Sequence, residues 1–283
     1  MINFPARERQ ARAIEAAIKI ADTYQIRSDT PIILKDSNNT VIHLAPSMVV
    51  AKVATSILRK QNISNLEHEL NVALHLTNVG APIVSPSKEI PPCIYRYKGL
   101  EITFWQYCDG EIHEEIDRCE FVAVLKQFHT ALASYQGILK SFTEDYQECY
   151  SLLDSYHLSP ELSVTDRQFL RQVYQHLRVR LDTIDYEDIP VHTEIHGGNV
   201  IWTDRGPLLI DFESCCRGPQ ELDFLFFSER NLSICPGLNK QLMEILCDLR
   251  SFRVAVWCWL QPDRAPEVLE AAEYHLSRLH SLY

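Results

Sequence analysis

One segment constrains this chain more than any other. Four of its nine glycines fall within residues 197–218, and glycine is scarce elsewhere. Glycine marks places where the backbone needs unusual dihedrals or a ligand comes close. The segment reads His192-Thr193-Glu194-Ile195-His196-Gly197-Gly198-Asn199, then Val200-Ile201-Trp202, then Pro207-Leu208-Leu209-Ile210-Asp211-Phe212-Glu213. The pattern predicts three strands, at Val191 to Asn199, Val200 to Trp202 and Pro207 to Phe212, joined by tight turns.

This β-rich island sits in helical surroundings. Apolar spacing predicts helices over residues 114–136, 141–157, 162–184, 239–261 and 265–281. The first part of the chain is textured differently. A helix over residues 6–24 precedes three short β-rich runs, Ile32 to Leu34, Thr40 to Leu44 and Met48 to Val53. Asp36-Ser37-Asn38-Asn39 and Ala45-Pro46-Ser47 separate them as hairpin turns, which predicts an antiparallel meander. A helix follows at residues 64–79, with Ser64 and Glu67 spaced as a capping box. Ile83-Val84, Ile94 to Tyr97 and Ile102 to Tyr107 read as further strands, and Cys108-Asp109-Gly110 ends the last one. The expected organisation is α+β in two lobes, residues 1–107 and 108–283.

At 283 residues with 46% hydrophobic content, the chain is long enough to build its core without disulfides or structural metals. The longest apolar run, Val254 to Leu260, is only seven residues. A membrane-spanning helix needs about 20, so none is expected. The N-terminus has no secretory-type apolar stretch, and nine cysteines follow no disulfide spacing. Reduced thiols and a cytoplasmic protein are expected. A net charge of -11 argues against nucleic acid as a partner. Residues 1–107 carry 12 basic and 9 acidic side chains, against 15 and 29 in residues 108–283. This asymmetry suggests lobes with different ligands, or an acidic surface that only aids solubility.

Glu194 is followed five residues later by Asn199, and Asp211 ends the next hairpin strand. Phosphoryl transfer from ATP uses such a set. One carboxylate orients the acceptor hydroxyl, while an asparagine and a second carboxylate hold Mg²⁺ against the phosphates. Mg²⁺ is a hard cation and prefers oxygen ligands.

The same residues resemble the aminoglycoside phosphotransferase and choline kinase family, which has a protein kinase-like fold. That family carries His-Gly-Asp-x-His-x-x-Asn followed by Ile-Asp-Phe/Trp-Glu/Asp. Here Thr193 replaces the Gly and Glu194 the catalytic Asp. Asn199 and Asp211 match the two metal ligands, and His192 a mainly structural histidine. Gly218-Pro219 and Asp223-Phe224 resemble the tail that follows. Upstream, Lys52 resembles the lysine on the α- and β-phosphates and Glu69 its ion-pair partner. Ser37, Asn38 and Asn39 match the phosphate-covering turn. Ile102 to Tyr107, ending in Gln106 and Tyr107, resembles the hinge strand whose backbone reads adenine. The resemblance covers about residues 30–230 and implies a fold with an antiparallel-sheet ATP-binding lobe and a mostly helical catalytic lobe.

The expectation is an ATP- and Mg²⁺-dependent kinase acting on a hydroxyl of a small, cationic acceptor, such as an antibiotic or an amino alcohol, as a monomer or homodimer. The alternative is a nucleotide- or ligand-binding pseudokinase. Glutamate adds one methylene to the catalytic position and displaces its carboxylate by about an ångström. A zinc hydrolase is disfavoured, because Gly197-Gly198 would end any helix presenting His192 and His196 together. No G-x-S-x-G or G-x-x-x-x-G-K-[ST] motif occurs.

Overall fold

A computed structural model describes residues 6–37, 39–55, 65–113, 116, 119–227, 237–260 and 266–283. The chain divides into two compact units, Met1–Gly137 with Glu194–Cys215, and Ile138–Thr193 with Cys216–Tyr283. The fold is mixed α+β and protein kinase-like.

The first unit is built on a five-stranded antiparallel sheet: β1 (Ile32–Asp36), β2 (Asn39–His43), β3 (Val49–Ala54), β4 (Tyr95–Tyr97) and β5 (Leu100–Gln106). Their spatial order is β1-β2-β3-β5-β4. Helix α1 (Ala6–Thr23) turns Ala13, Ala16, Ala17 and Ala21 inward. These small side chains let it lie close to Ile42, Val49, Ala51, Val53, Ile102 and Phe104. Strand residues alternate between faces, so Val50, Lys52, Thr103 and Trp105 point away from α1. All four are buried there as well. Covered on both faces, β3 reads as Val-Val-Ala-Lys-Val-Ala, almost all apolar. A lysine in such a strand requires a partner.

Helix α2 (Asn65–Asn78) buries Leu66, Leu70, Val72, Ala73 and Leu76, together with one charged side chain, Glu69. Ser64 of the expected capping box lies outside the described residues. Helix α3 (Cys119–Ala133) and a hairpin of β7 (Val200–Thr203) and β8 (Gly206–Leu209) complete the unit.

The second unit holds α4 (Phe142–Leu152), α5 (Val164–Leu181), α6 (Lys240–Trp257), α7 (Pro266–Leu282) and the short pair β6 (Ile189–Val191) with β9 (Cys216–Gly218). Ser141 and Glu144 form a complete capping box on α4, and Ser163 and Asn239 cap α5 and α6. The helices close over a core that includes Phe142, Cys149, Leu170, Leu177, Leu246, Phe252 and Leu279.

Two expected strands take other forms. Val191 to Asn199 is not a strand beyond Val191. Thr193 adopts φ 71°, which breaks the extended run, and residues 197–199 form a 3-10 turn. Ile83-Val84 makes only a bridge to Leu209. Pro82 and Pro86 flank it and cannot donate to a ladder, so pairing does not spread. No helix among the described residues is long and apolar enough to cross a membrane.

Candidate active site

Lys52 lies in the middle of β3, paired across the sheet with Val41 and Thr103. Its Nζ donates to both carboxylate oxygens of Glu69 on α2, at 2.8 and 2.9 Å. It also reaches Asp211 Oδ1 at 3.0 Å and Glu213 Oε1 at 2.8 Å. Glu69 Oε1 accepts the Phe212 N–H at 3.2 Å, so α2 grips the segment carrying Asp211. Burial alone would lower the Lys52 pKa, but the charges of Glu69 and Asp211 outweigh it and hold the ammonium above its usual value. Burial, with the Asp211 charge, raises Glu69 against the opposing pull of Lys52. Removing one partner of such a pair costs about 3–5 kcal/mol, because the other is left buried and uncompensated.

Chemistry and constraint meet again before Glu194. Asp223, fully buried, accepts the His192 N–H at 3.1 Å through Oδ2 and the Thr193 N–H at 2.5 Å through Oδ1. This clamp holds Thr193 in the left-handed region, where a β-branched residue is strained. Strain of this kind persists only where the surroundings over-determine it. Past Glu194 the chain turns back on itself. His196 Nδ1 accepts the Gly198 N–H at 3.1 Å. A Cβ on Gly198 would lie 3.2 Å from that ring, which explains the glycine. Asn199 Nδ2 donates to the Glu194 carbonyl at 3.0 Å.

The β7–β8 hairpin then brings Asn199 beside Asp211, since the Ile210 N–H donates to the Asn199 carbonyl at 3.1 Å. Asp211 itself takes φ 70°, ψ 69°, which ends the strand and starts a 3-10 turn at Phe212. Its side chain is 35% exposed, against 2% for Glu69. Asp211 can therefore meet a ligand, and Glu69 serves Lys52. Asn199 Oδ1 is buried and accepts no hydrogen bond. An orphaned amide oxygen next to an accessible carboxylate suits a hard divalent cation. Among the described residues, Glu69, Asp211 and Glu213 bring carboxylate oxygens within 4.8 Å of one another.

The remaining expected site residues fall as follows. Ser37 is exposed at the β1–β2 turn, and Asn38 lies outside the described residues. Asn39 turns inward and is buried, and its Nδ2 donates to Glu213 Oε1 at 2.5 Å. Gln106 and Tyr107 end β5. Their amide N–H groups donate to the Ser85 and Met48 carbonyls, and the Tyr107 ring stacks on His43 at 3.7 Å. The structure thus gathers Lys52, Glu69, Asp211 and Asn39 into one network with Glu213. It links Asn199 to Asp211 through Ile210 and joins Glu194 to Asn199 by a hydrogen bond. Glu213 and Asp223 had no assigned role in the sequence. The cue for Glu213 was an acid two residues after Asp211, and nothing local marked Asp223 as a clamp.

The sequence profile of the APH phosphotransferase enzyme family matches residues 22–278. No curated protein matches the sequence. Among solved structures, the chain is similar to the choline kinase LicA from Streptococcus pneumoniae, at 15% identity and TM-score 0.70, over 95% of this chain and 99% of that one. It is similar to the amicoumacin kinase hAmiN, solved with AMP-PNP, Ca²⁺ and Ami, at 14% identity and TM-score 0.71, over 98% and 96%. The GDP complex of aminoglycoside 2'-phosphotransferase-IIIa is similar at 14% identity and TM-score 0.64, over 94% and 99%. Identities this low speak for the fold alone, but the family profile spans nearly the whole chain and includes the loop and hairpin just described. By that match the chain belongs to the APH phosphotransferase enzyme family.

Proposed function

We propose that the protein transfers the γ-phosphoryl group of ATP to a hydroxyl of a small, cationic acceptor. The observation that carries this reading is the buried Lys52–Glu69 pair beside the accessible Asp211, with Asn199 Oδ1 left without a partner. Residues 1–107 would hold the nucleotide, with Ser37, Asn38 and Asn39 over the phosphates and Gln106 and Tyr107 along the adenine. Residues 108–283 would supply Glu194 and the acceptor site. Nucleotide complexes of hAmiN and of the 2'-phosphotransferase are consistent with such a site.

In this reading Lys52 steadies the α- and β-phosphates while Glu69 fixes its position. Asn199 and Asp211 would hold Mg²⁺, which supplies charge neutralisation on the phosphates when bound. Glu194 orients the acceptor hydroxyl toward the γ-phosphorus and takes up its proton, which becomes acidic late in a loose transition state. The acidic excess of residues 108–283 favours a cationic acceptor. The presence of glutamate in place of aspartate supports one rival, a pseudokinase that binds nucleotide without transferring phosphate.

Calorimetry with MgATP tests the site. Asp211→Ala should abolish Mg²⁺-dependent nucleotide binding, and unchanged affinity would overturn the metal assignment. ADP release by the wild type across a panel of amino alcohols and aminoglycosides separates kinase from pseudokinase.

A further inference from the structure

The Lys52 ammonium has three N–H donors and meets three carboxylates, Glu69, Asp211 and Glu213, all within 3.0 Å. Three negative charges face one positive charge. The Glu69 and Glu213 side chains are only 2% and 4% exposed, so water screens little of the excess. Two buried amide oxygens, on Asn199 and Asn39, have no hydrogen-bond partner. Each belongs to a side chain tied to this network. Asn199 adjoins Asp211 through Ile210, and Asn39 donates to the same Glu213 oxygen that Lys52 contacts. Oxygen donors in excess of cationic charge describe a place prepared for one more cation.

We propose that Lys52 is a resident counter-ion which a divalent cation must displace, and that Asn39 carries this exchange to the β1–β2 hairpin. The proposal rests on the phosphotransfer reading for the identity of the cation. The oxygen of Asp211 that a cation would take is held by Lys52 at 3.0 Å. Two cations on one carboxylate oxygen repel each other strongly where water is excluded. Lys52 therefore gives up Asp211 and Glu213 and keeps Glu69, to which it is bound through both oxygens. Its released N–H donors then face the phosphates. Glu213 loses its ammonium partner and shifts toward the incoming charge. Asn39 is the first residue of β2 and is held to Glu213 at 2.5 Å, so it moves with it or lets go. Either way, the strand pair that carries the phosphate-covering turn registers the metal before nucleotide arrives.

Mn²⁺ alone, without nucleotide, is the probe. Lys52→Met should bind Mn²⁺ about tenfold more tightly than the wild type, a fraction of the repulsion between two like charges at contact distance. Lys52→Arg retains a buried cation and should show no gain. Equal or weaker Mn²⁺ binding by Lys52→Met, or no binding by either protein, would overturn the proposal. If Lys52→Met does not fold, the ¹⁵Nζ resonance of Lys52 in the wild type decides. It should shift saturably with Mg²⁺ alone, and a resonance that stays fixed refutes the exchange. Hydrogen exchange reads the second half. Metal should change protection in β1 and β2 of the wild type but not of Asn39→Ala, and an equal response in both would remove Asn39 from the coupling. Loss of MgATP binding by the wild type would instead fell the phosphotransfer reading, whereas intact MgATP binding without a Lys52→Met gain would fell only this inference.

Discussion

Glu194 stands where the family has aspartate, and its neighbourhood indicates an adjusted backbone. The residue before it is threonine at φ 71°, and Asp223 holds that conformation through two amides. A strained, doubly anchored residue fixes the direction from which the longer side chain starts. Glu194→Gln should leave ATP affinity nearly intact and lower kcat by about 10²–10⁴-fold, the usual cost of losing a positioned base. Glu194→Asp should also lower kcat, because the carboxylate retracts by about an ångström from a hydroxyl it was placed to meet. Steady-state kinetics with one acceptor check both. A rise in kcat for Glu194→Asp would mean that the backbone has not adjusted, and unchanged turnover in both variants would remove Glu194 from catalysis.

At the scale of elements, legibility in the sequence followed the range of the interactions. The meander was readable because alternation and turn residues are local signals, and β1 to β3 pair in that order. The helices were readable from apolar spacing, to within a few residues at most ends. The segment after Val191 was misread as strand because its conformation comes from Asp223, some 30 residues away in sequence. Asn39 was legible as a turn residue, but its inward hydrogen bond to Glu213, 174 residues away, was not. The α6–α7 seam shows another property hidden in sequence. His275 on α7 meets Ser251 Oγ on α6 at 3.1 Å, and Arg278 donates to the same hydroxyl at 3.0 Å. Burial, with the charges of Arg250 and Arg278, lowers the imidazole pKa from 6.5 to about 4. Unfolding frees the ring to take a proton at higher pH, so its contribution to stability is complete above about 6.5 and is lost as pH falls toward about 4. Chemical denaturation at intervals across that window should show stability falling. His275→Gln should flatten the fall, and an identical slope in the variant would exclude His275 as its source.

Over the whole molecule the charge is divided unequally. Of the 38 acidic side chains, 29 lie in residues 108–283, against 15 of the 27 basic ones. That part of the chain includes Glu194 and the helices α3 to α7. Acidic surroundings raise the local concentration of a cationic ligand and speed its encounter, and salt screens the effect over a Debye length of about 8 Å at 0.15 M. If the acidic excess serves acceptor capture, kcat/KM for a cationic aminoglycoside or amino alcohol should fall steadily with ionic strength. A neutral sugar alcohol phosphorylated by the same enzyme should show a flat profile, which separates steering from any general effect of salt on the enzyme. The MgATP affinity, measured at each salt concentration, supplies the correction for nucleotide binding. If the excess serves only solubility, both acceptors will give flat profiles once that correction is made. A neutral or anionic acceptor that outcompetes every cation at low salt would overturn the assignment of acceptor charge while leaving the phosphotransfer site as described.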